Sequence, residues 1–330
     1  MQFMKLNLYD ENLNKIAIIG GQFISCLWKE DYNGKGNFSI ELNNTEEYRK
    51  KVKTDCYVGR KDRKTLMVIK TVNIKDNTII ATGSLATRQL EDVAFVGTIN
   101  ENSTIATSVK NAYNVSTKYK NIEIADSDLT DKYPQQISNK SFFALTQTMC
   151  KSADIGFRPV KNGNKIDIEF YKPTINSNLK FSKMFGNLSN ENIVLSTENY
   201  KNYAIVLGQG EAENRIRVDV DISNGEQRKE LIVDAKDLQQ NENETLENYQ
   251  KRLTARGVEK LLEKTKTWSV KFLPSATEFG KSIDIGDILT VLLKEYDLII
   301  QARLASFTQK EQNNSTTTTI EVGEITVTGR

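Results

Sequence analysis

Asp219, Asp221, Ser223 and Glu230 are spaced as the first, third, fifth and twelfth residues of a calcium loop, in which oxygen ligands surround a hard cation. The glycine that gives such a loop its sharp turn comes one place late, at Gly225, and the flanking residues alternate as strands do. A hairpin turn over Ser223 to Glu226 accounts for the same residues, so the quartet is a calcium candidate only and no metal is expected. Gly280-Lys281-Ser282 ends like a phosphate-binding loop, but Ser275 stands where its first glycine belongs and a strand follows instead of a helix. Gly208-Gln209-Gly210 fails as a dinucleotide fingerprint for similar reasons, with Glu213 in place of the third small residue.

The chain has no histidine. That removes the commonest general base near neutral pH and every Ser-His or Cys-His nucleophile, leaving carboxylate, lysine or tyrosine chemistry. Glu211 and Glu213 could be imagined as an acid and base pair, but beside Arg215 they read as solvated turn charges. Trp28 and Trp268 could be sugar-stacking platforms, yet each lies in an apolar strand and reads as core. Cys26, Cys56 and Cys150 are few, odd in number and far apart, which fits buried, reduced thiols and neither a disulfide framework nor a metal knuckle. No catalytic, cofactor or metal site is expected, and the protein is not expected to be an enzyme.

Composition narrows the class further. At 330 residues and 38% hydrophobic, the chain can bury real cores in two or three domains. Lys and Arg total 45 against 43 Asp and Glu, a balance without the concentrated basic face of a nucleic-acid binder. The densest basic run, Arg60 to Lys64, reads as a solvated hairpin turn between Val58 and Leu66. The N-terminus alternates as a hairpin and lacks the apolar core of a signal peptide, and no run is long enough to cross a membrane as a helix. Synthesis and folding in a cytoplasm follow as the expectation.

The elements that position these residues are mostly strands. From Met4 to Gly83 short alternating runs predict an antiparallel sheet, broken by one helix near Thr45 to Val52. Between Ser84 and Lys183 the pattern is mixed: Ser84 caps a helix to Leu90, helices follow at Asn102 to Asn114 and Ser141 to Lys151, and a hairpin closes over Lys161 to Asn164. Thr174 to Asn190 reads as polar connection. Strands then return to the C-terminus, interrupted by one helix near residues 245–265 whose apolar positions form a stripe. Glu311 to Thr319 reads as a hairpin tip. The predicted fold is mixed and mainly β: a first β-barrel over 1–83, an α+β domain over 84–185, and a second β-barrel with an inserted helix over 186–330, parts of which can return to the first domain.

Several segments, in order, carry a family resemblance: ATGSLATRQL (Ala81 to Leu90), GQGEAENR (Gly208 to Arg215), RKELIVDAKDL (Arg228 to Leu238), the helix Leu246 to Lys264, IDIGDILTV (Ile283 to Val291) and a closing strand with IEVGE (Ile320 to Glu324). Together they resemble the siphophage tail-tip or baseplate hub family, found also in phage-derived tail-like particles. The resemblance implies tube-like barrels, a non-enzymatic core, and structural roles for Gly83, Arg88, Gly208, Gly210, Arg215, Gly286, Asp287 and Gly323. It further implies a homotrimeric ring in the virion tail that adapts a sixfold tail tube to a threefold tip around a central channel. Partners would be a distal tail or tail-tube ring and downstream tip, fibre or receptor-binding proteins, with DNA only as passing cargo. Two alternatives stay open: a module binding a host-surface polymer, and a carboxylate-based wall-degrading enzyme.

Overall fold

The computed structural model of the chain describes residues 4–99, 103–133, 137–242, 244–274, 279–296, 298–313 and 315–329. Period-two alternation builds its first part. β1 (Lys5–Tyr9) and β2 (Lys15–Gly20) form the N-terminal hairpin, with Leu6 opposite Ile19 and both buried. In β3 (Phe23–Asp31) and β4 (Asn37–Asn43) the buried sets are Cys26, Trp28 and Glu30, and Phe38, Ile40 and Leu42. Trp28 lies opposite Phe38, edge to face with ring centroids 5.8 Å apart. α1 (Glu46–Lys51) starts because Thr45 accepts a hydrogen bond from the Tyr48 N–H, and its charges follow the helix dipole, acidic first and basic last. β5 (Tyr57–Arg60), β6 (Leu66–Ile74) and β7 (Thr78–Leu85) continue the antiparallel ladder.

The expected Ser84-capped helix is instead a 3-10 turn over Ala86–Asp92 without a side-chain cap. Ser84 is paired with Val68 inside the ladder and buried, so its hydroxyl is not at a helix start. β8 (Ala94–Ile99), α2 (Ile105–Val115), β9 (Ile122–Ile124), β10 (Ile137–Ser141), α3 (Phe142–Ser152), β11 (Gly156–Asn162) and β12 (Lys165–Tyr171) make the α+β region. Thr104 and Ser141 cap the two helices; Asn102, read as the first helix's start, lies outside the described residues. Ile105, Val109, Phe142, Leu145, Met149, Ile166 and Ile168 share one core with Val68 and Leu90.

β13 (Ile175–Phe181) runs through the stretch read as polar connection. Its pairing slips between Asn176 and Lys180, and that irregularity hides it from a strict alternation test. β14 (Leu188–Ser196), β15 (Tyr203–Leu207), β16 (Arg217–Asp221), β17 (Glu230–Asp234), α4 (Leu246–Leu262), β18 (Thr267–Pro274), β19 (Ile288–Leu293), β20 (Leu298–Gln312) and β21 (Ser315–Gly329) complete the chain. The side chain of Trp268 lies outside the described residues. Gln312 pairs with Ser315 and Glu311 with Thr316, so the turn, with Asn313 at φ +52°, is tighter than the expected tip over Glu311 to Thr319, most of which lies in the paired strands.

The fold is mixed and mainly β. One 13-stranded sheet joins the strands of the expected first barrel to several of the second, in the order β14-β18-β21-β20-β3-β4-β7-β6-β5-β1-β2, with β19 on β20 and β13 on β19, while β15, β16 and β17 form a separate three-stranded sheet in the order β16-β15-β17. β20 is long enough to serve two neighbours: Leu298 to Arg303 pair with β19, and Ser306 to Gln312 pair with β3. The chain divides into two compact units, one of residues 1–191 and 271–330, the other of residues 192–270. The C-terminal strands return to the N-terminal sheet through the pairing of β20 with β3. In the second unit, α4 packs on β15, β16 and β17 through Tyr249, Leu253, Gly257 and Leu261.

Candidate functional site

A polar cluster of the first unit gathers around the turn after β5 and the loop before β19. Arg63 grips Glu30 with two hydrogen bonds, Nε to Oε1 and Nη2 to Oε2, each 2.9 Å, and reaches Asp284 Oδ1 at 2.6 Å. The Trp28 indole donates to Glu30 Oε1 at 2.8 Å, and the guanidinium lies over the Phe279 ring, 4.7 Å from its centroid. Glu30 is 2% exposed. Burial raises its pKa, but the Arg63 guanidinium together with side-chain hydrogen bonds, that of Trp28 among them, outweighs burial and holds the carboxyl below the usual carboxylate range. Such a pair adds little net stability over an apolar one, yet removing one partner strands a buried charge.

Arg60, on β5, donates to Asp62 Oδ2 at 2.6 Å and to Gln309 Oε1 at 2.9 Å, and packs over the Trp28 ring. The reading of Arg60 to Lys64 as a solvated turn is therefore corrected. Lys61 and Lys64 are exposed, but both arginines turn inward: Arg63 is neutralised by Glu30 of β3, distant in the chain, and Arg60 packs over Trp28 and reaches Gln309 while Asp62 of the same turn neutralises it. Glu311, also buried, accepts from the Met4 N–H at 2.9 Å.

The loop Ile283 to Asp287 is tied from several sides. Gly286 has φ +96°, and a Cβ there would meet the Tyr32 ring at 2.7 Å, so both conformation and space demand glycine. Asp287 accepts from the Thr174 N–H at 2.8 Å, the Thr174 hydroxyl at 2.7 Å and the Asp284 N–H at 2.8 Å. Arg303 donates to the Gly286 carbonyl at 2.8 Å and pairs with Asp154 at 2.6 Å. The Tyr171 hydroxyl donates to the Ile285 carbonyl at 3.0 Å. Among the other resemblance positions, Gly83 is required by crowding, since a Cβ would fall 1.8 Å from the Val68 carbonyl oxygen. Arg88 is exposed, with Glu91 at 3.6 Å. Nothing described requires glycine at Gly323, where a Cβ would sit 3.5 Å from Ala305.

In the second unit, Gly208 lets α4 approach: a Cβ there would lie 2.5 Å from the Tyr249 hydroxyl. That hydroxyl donates to the Leu238 carbonyl at 2.7 Å and accepts from the Gln209 N–H at 2.8 Å. Gly210, at φ +111°, bends the chain into a short 3-10 turn, Ala212–Asn214. Arg215 closes the bend, donating to the carbonyls of Gly208, at 2.8 Å, and Leu207, and pairing with Asp234 at 2.6 Å. Glu211 and Glu213 are exposed.

The calcium quartet is not brought together. Asp221 and Glu230 flank Tyr203 from opposite sides, on β16 and β17, so two strand spacings of about 4.8 Å each separate their backbones. Asp219 is held by Arg217 at 2.7 Å and by the Tyr203 hydroxyl at 2.9 Å, and Asp221 accepts from the Ser223 N–H. The Arg217 hydrogen bond keeps the Asp219 carboxyl below its ordinary range. Among the described residues, no group of three or more Cys, Asp or Glu could hold a metal. After Gly280-Lys281-Ser282 the chain goes on to β19 without an intervening helix; Ser275 lies outside the described residues. The three cysteines are free and buried, and burial pushes the Cys26 thiol up to about 12.

Sequence reasoning missed Glu30, Arg303 and Glu311. Glu30 had a signal: it follows Cys26 and Trp28 at strict two-residue spacing in one strand, which places its carboxylate on the buried face. Arg303 and Glu311 had none, because both lie in β20, where the partner strand and hence the inward face change along its length.

A family model described as Siphovirus ReqiPepy6 Gp37-like protein matches residues 5–324. Among solved structures, the 43 kDa tail protein of prophage MuSo2 from Shewanella oneidensis superposes with a TM-score of 0.60 at 15% identity, covering 97% of this chain and 98% of its own. Prophage tail protein gp18 from Listeria monocytogenes EGD-e gives 0.59 at 12% identity, covering 96% and 94%. The tail protein from Neisseria meningitidis MC58 gives 0.59 at 12%, covering 98% and 97%. At these identities the likeness is one of fold. No curated protein sequence matches.

Proposed function

The chain belongs to the Siphovirus ReqiPepy6 Gp37-like protein family, and from that premise we propose that it is a structural protein of a phage-type tail. The single observation that carries this reading is the family match over residues 5–324. The fold likeness to three tail proteins, which spans more than nine-tenths of each chain, supports it. In finer detail, three copies form a ring at the distal end of the tail, adapting a sixfold tube to a threefold tip. The ring encloses a channel through which DNA passes as cargo. A tail-tube ring docks on one side, and tip, fibre or receptor-binding proteins dock on the other. The protein is made in the host cytoplasm and resides in the virion tail or a tail-like particle; among the described residues no helix is long and apolar enough to cross a membrane.

The role is mechanical and not enzymatic in this reading. The charged clusters of the first unit join β3, the turn after β5, β20 and the loop before β19, and their groups are committed to one another. A ring that transmits force between tube and tip needs such cross-links between strands distant in sequence. Light scattering on the purified chain over a range of concentrations, followed by electron microscopy, tests the proposal. A mass of three chains and a ring with an open axis is the expected result; a monomer that also fails to join a purified tail-tube ring overturns the hub.

A further inference from the structure

A groove runs along both sides of the strap that joins α2 to β9. Two clefts of about 490 and 390 Å³ flank this strap and share Lys118, Tyr119 and Asn121. The strap is fixed from beneath: the Tyr113 hydroxyl accepts from the Tyr119 N–H at 3.0 Å, and Asn121, at φ +66°, donates its side-chain amide to the Glu11 carbonyl at 2.7 Å. A groove held in this way keeps its shape before a ligand arrives, which lowers the ordering cost of binding.

The lining has a definite chemistry. Its apolar floor comes from Tyr113, Ile122 and Ile124, all buried, and the half-buried Tyr119 stands between the two clefts. At the rim of the larger cleft, the side chains of Asn114, Lys118 and Asn164 make no hydrogen bond or ion pair with the described residues. Charge is balanced: the two clefts together carry four lysines and four carboxylates, and Lys110 and Lys165 are already paired with Asp126 and Glu123. A polyanion such as a nucleic acid or a phosphate polymer is drawn by a field of uncompensated positive charge, whereas here Lys118 alone of the four lysines is left without a carboxylate partner among the described residues, since Lys120 pairs with Glu11 at 3.9 Å. A polyhydroxylated neutral chain uses what is there, packing a C–H face on the half-buried Tyr119 ring and sharing its hydroxyls with the amides at the rim.

We infer that the groove beside Tyr119 binds a neutral saccharide chain. The site rests on the groove's own lining; only the source of the saccharide, a cell-surface glycan of the host, rests on the tail reading. The test uses the full chain on a printed array of neutral and anionic bacterial oligosaccharides, followed by calorimetric titration with the best neutral glycan. Neutral glycans bind, and the double variant Asn114→Ala/Asn164→Ala weakens binding at least tenfold while its Tm is unchanged. Tyr119→Ala abolishes binding, but Tyr119 also packs on the core, so the double variant decides. Binding confined to phosphate-bearing or uronate-bearing glycans and lost in salt overturns the inference. So does neutral binding that ignores the double variant, or no binding to any neutral glycan. The mass measurement on the same preparation reads the hub separately, so failure of one does not imply failure of the other.

Discussion

Glu30 is the residue whose removal exposes how the first unit is held. Glu30→Ala leaves Arg63, 9% exposed at its side chain, with only the half-exposed Asp284 as counter-charge. Breaking a buried pair in this way costs about 3–5 kcal/mol, which chemical denaturation reads as a lower midpoint. Replacing both partners together, as in Glu30→Leu/Arg63→Met, costs much less, since the unpaired charge is gone; equal losses would mean that the pair itself is the source of stability. The same carboxyl sets an acid limit. Its folded pKa is lowered from an ordinary value of 4.5, so its contribution is fully present above that value and is lost as pH falls through the depressed native value. The wild-type protein is therefore expected to lose stability steeply below about pH 4, and Glu30→Gln to show a shallower loss over the same range in a Tm-against-pH series.

At the scale of elements, α4 and its sheet offer a contest of known magnitudes. Gly257 sits inside the helix, where alanine is favoured by about 1 kcal/mol. A Cβ there would lie 2.7 Å from methyl groups of both Val206 and Val220, on the sheet beneath. Overpacking of that kind costs about 1–3 kcal/mol, so Gly257→Ala is expected to destabilise the second unit by up to about 2 kcal/mol, and a gain in stability would show that the helix can lift without penalty. Element identity was largely legible here. Tyr203 to Leu207 alternates cleanly and is the strand found, and Thr245 before Leu246 signals the cap that the Asn248 N–H uses. β13 was not legible, because its pairing slips, and neither was the 3-10 turn after β7, because a serine inside a ladder looks the same in sequence as a serine before a helix.

For the whole molecule, the ring is the prediction that matters most. A trimer in solution should dissociate, if at all, with dilution, and its concentration dependence in light scattering separates an assembly that forms alone from one that needs a tail tube. The sheet has strands available for such contacts: β2, β13 and β14 each pair on one side only among the described residues. Unpaired strand edges invite pairing with another chain. Exposed Ile175 and Val194, on β13 and β14, add apolar surface at two of these edges.

The amino-acid sequence alone determined that no histidine chemistry is available, the mainly β character, most strands and, among the described residues, three of the four α-helix starts, because side-chain type, spacing and capping act over a few residues. It also carries the ordered segments that resemble the tail family. Only the tertiary structure decided that the last strands return to the first sheet, that Arg60 and Arg63 are buried and not solvated, and that the four calcium candidates stay apart. Each of these depends on which strand lies next to which. That choice is made by burial and register summed over residues hundreds of positions apart, and no local pattern contains it.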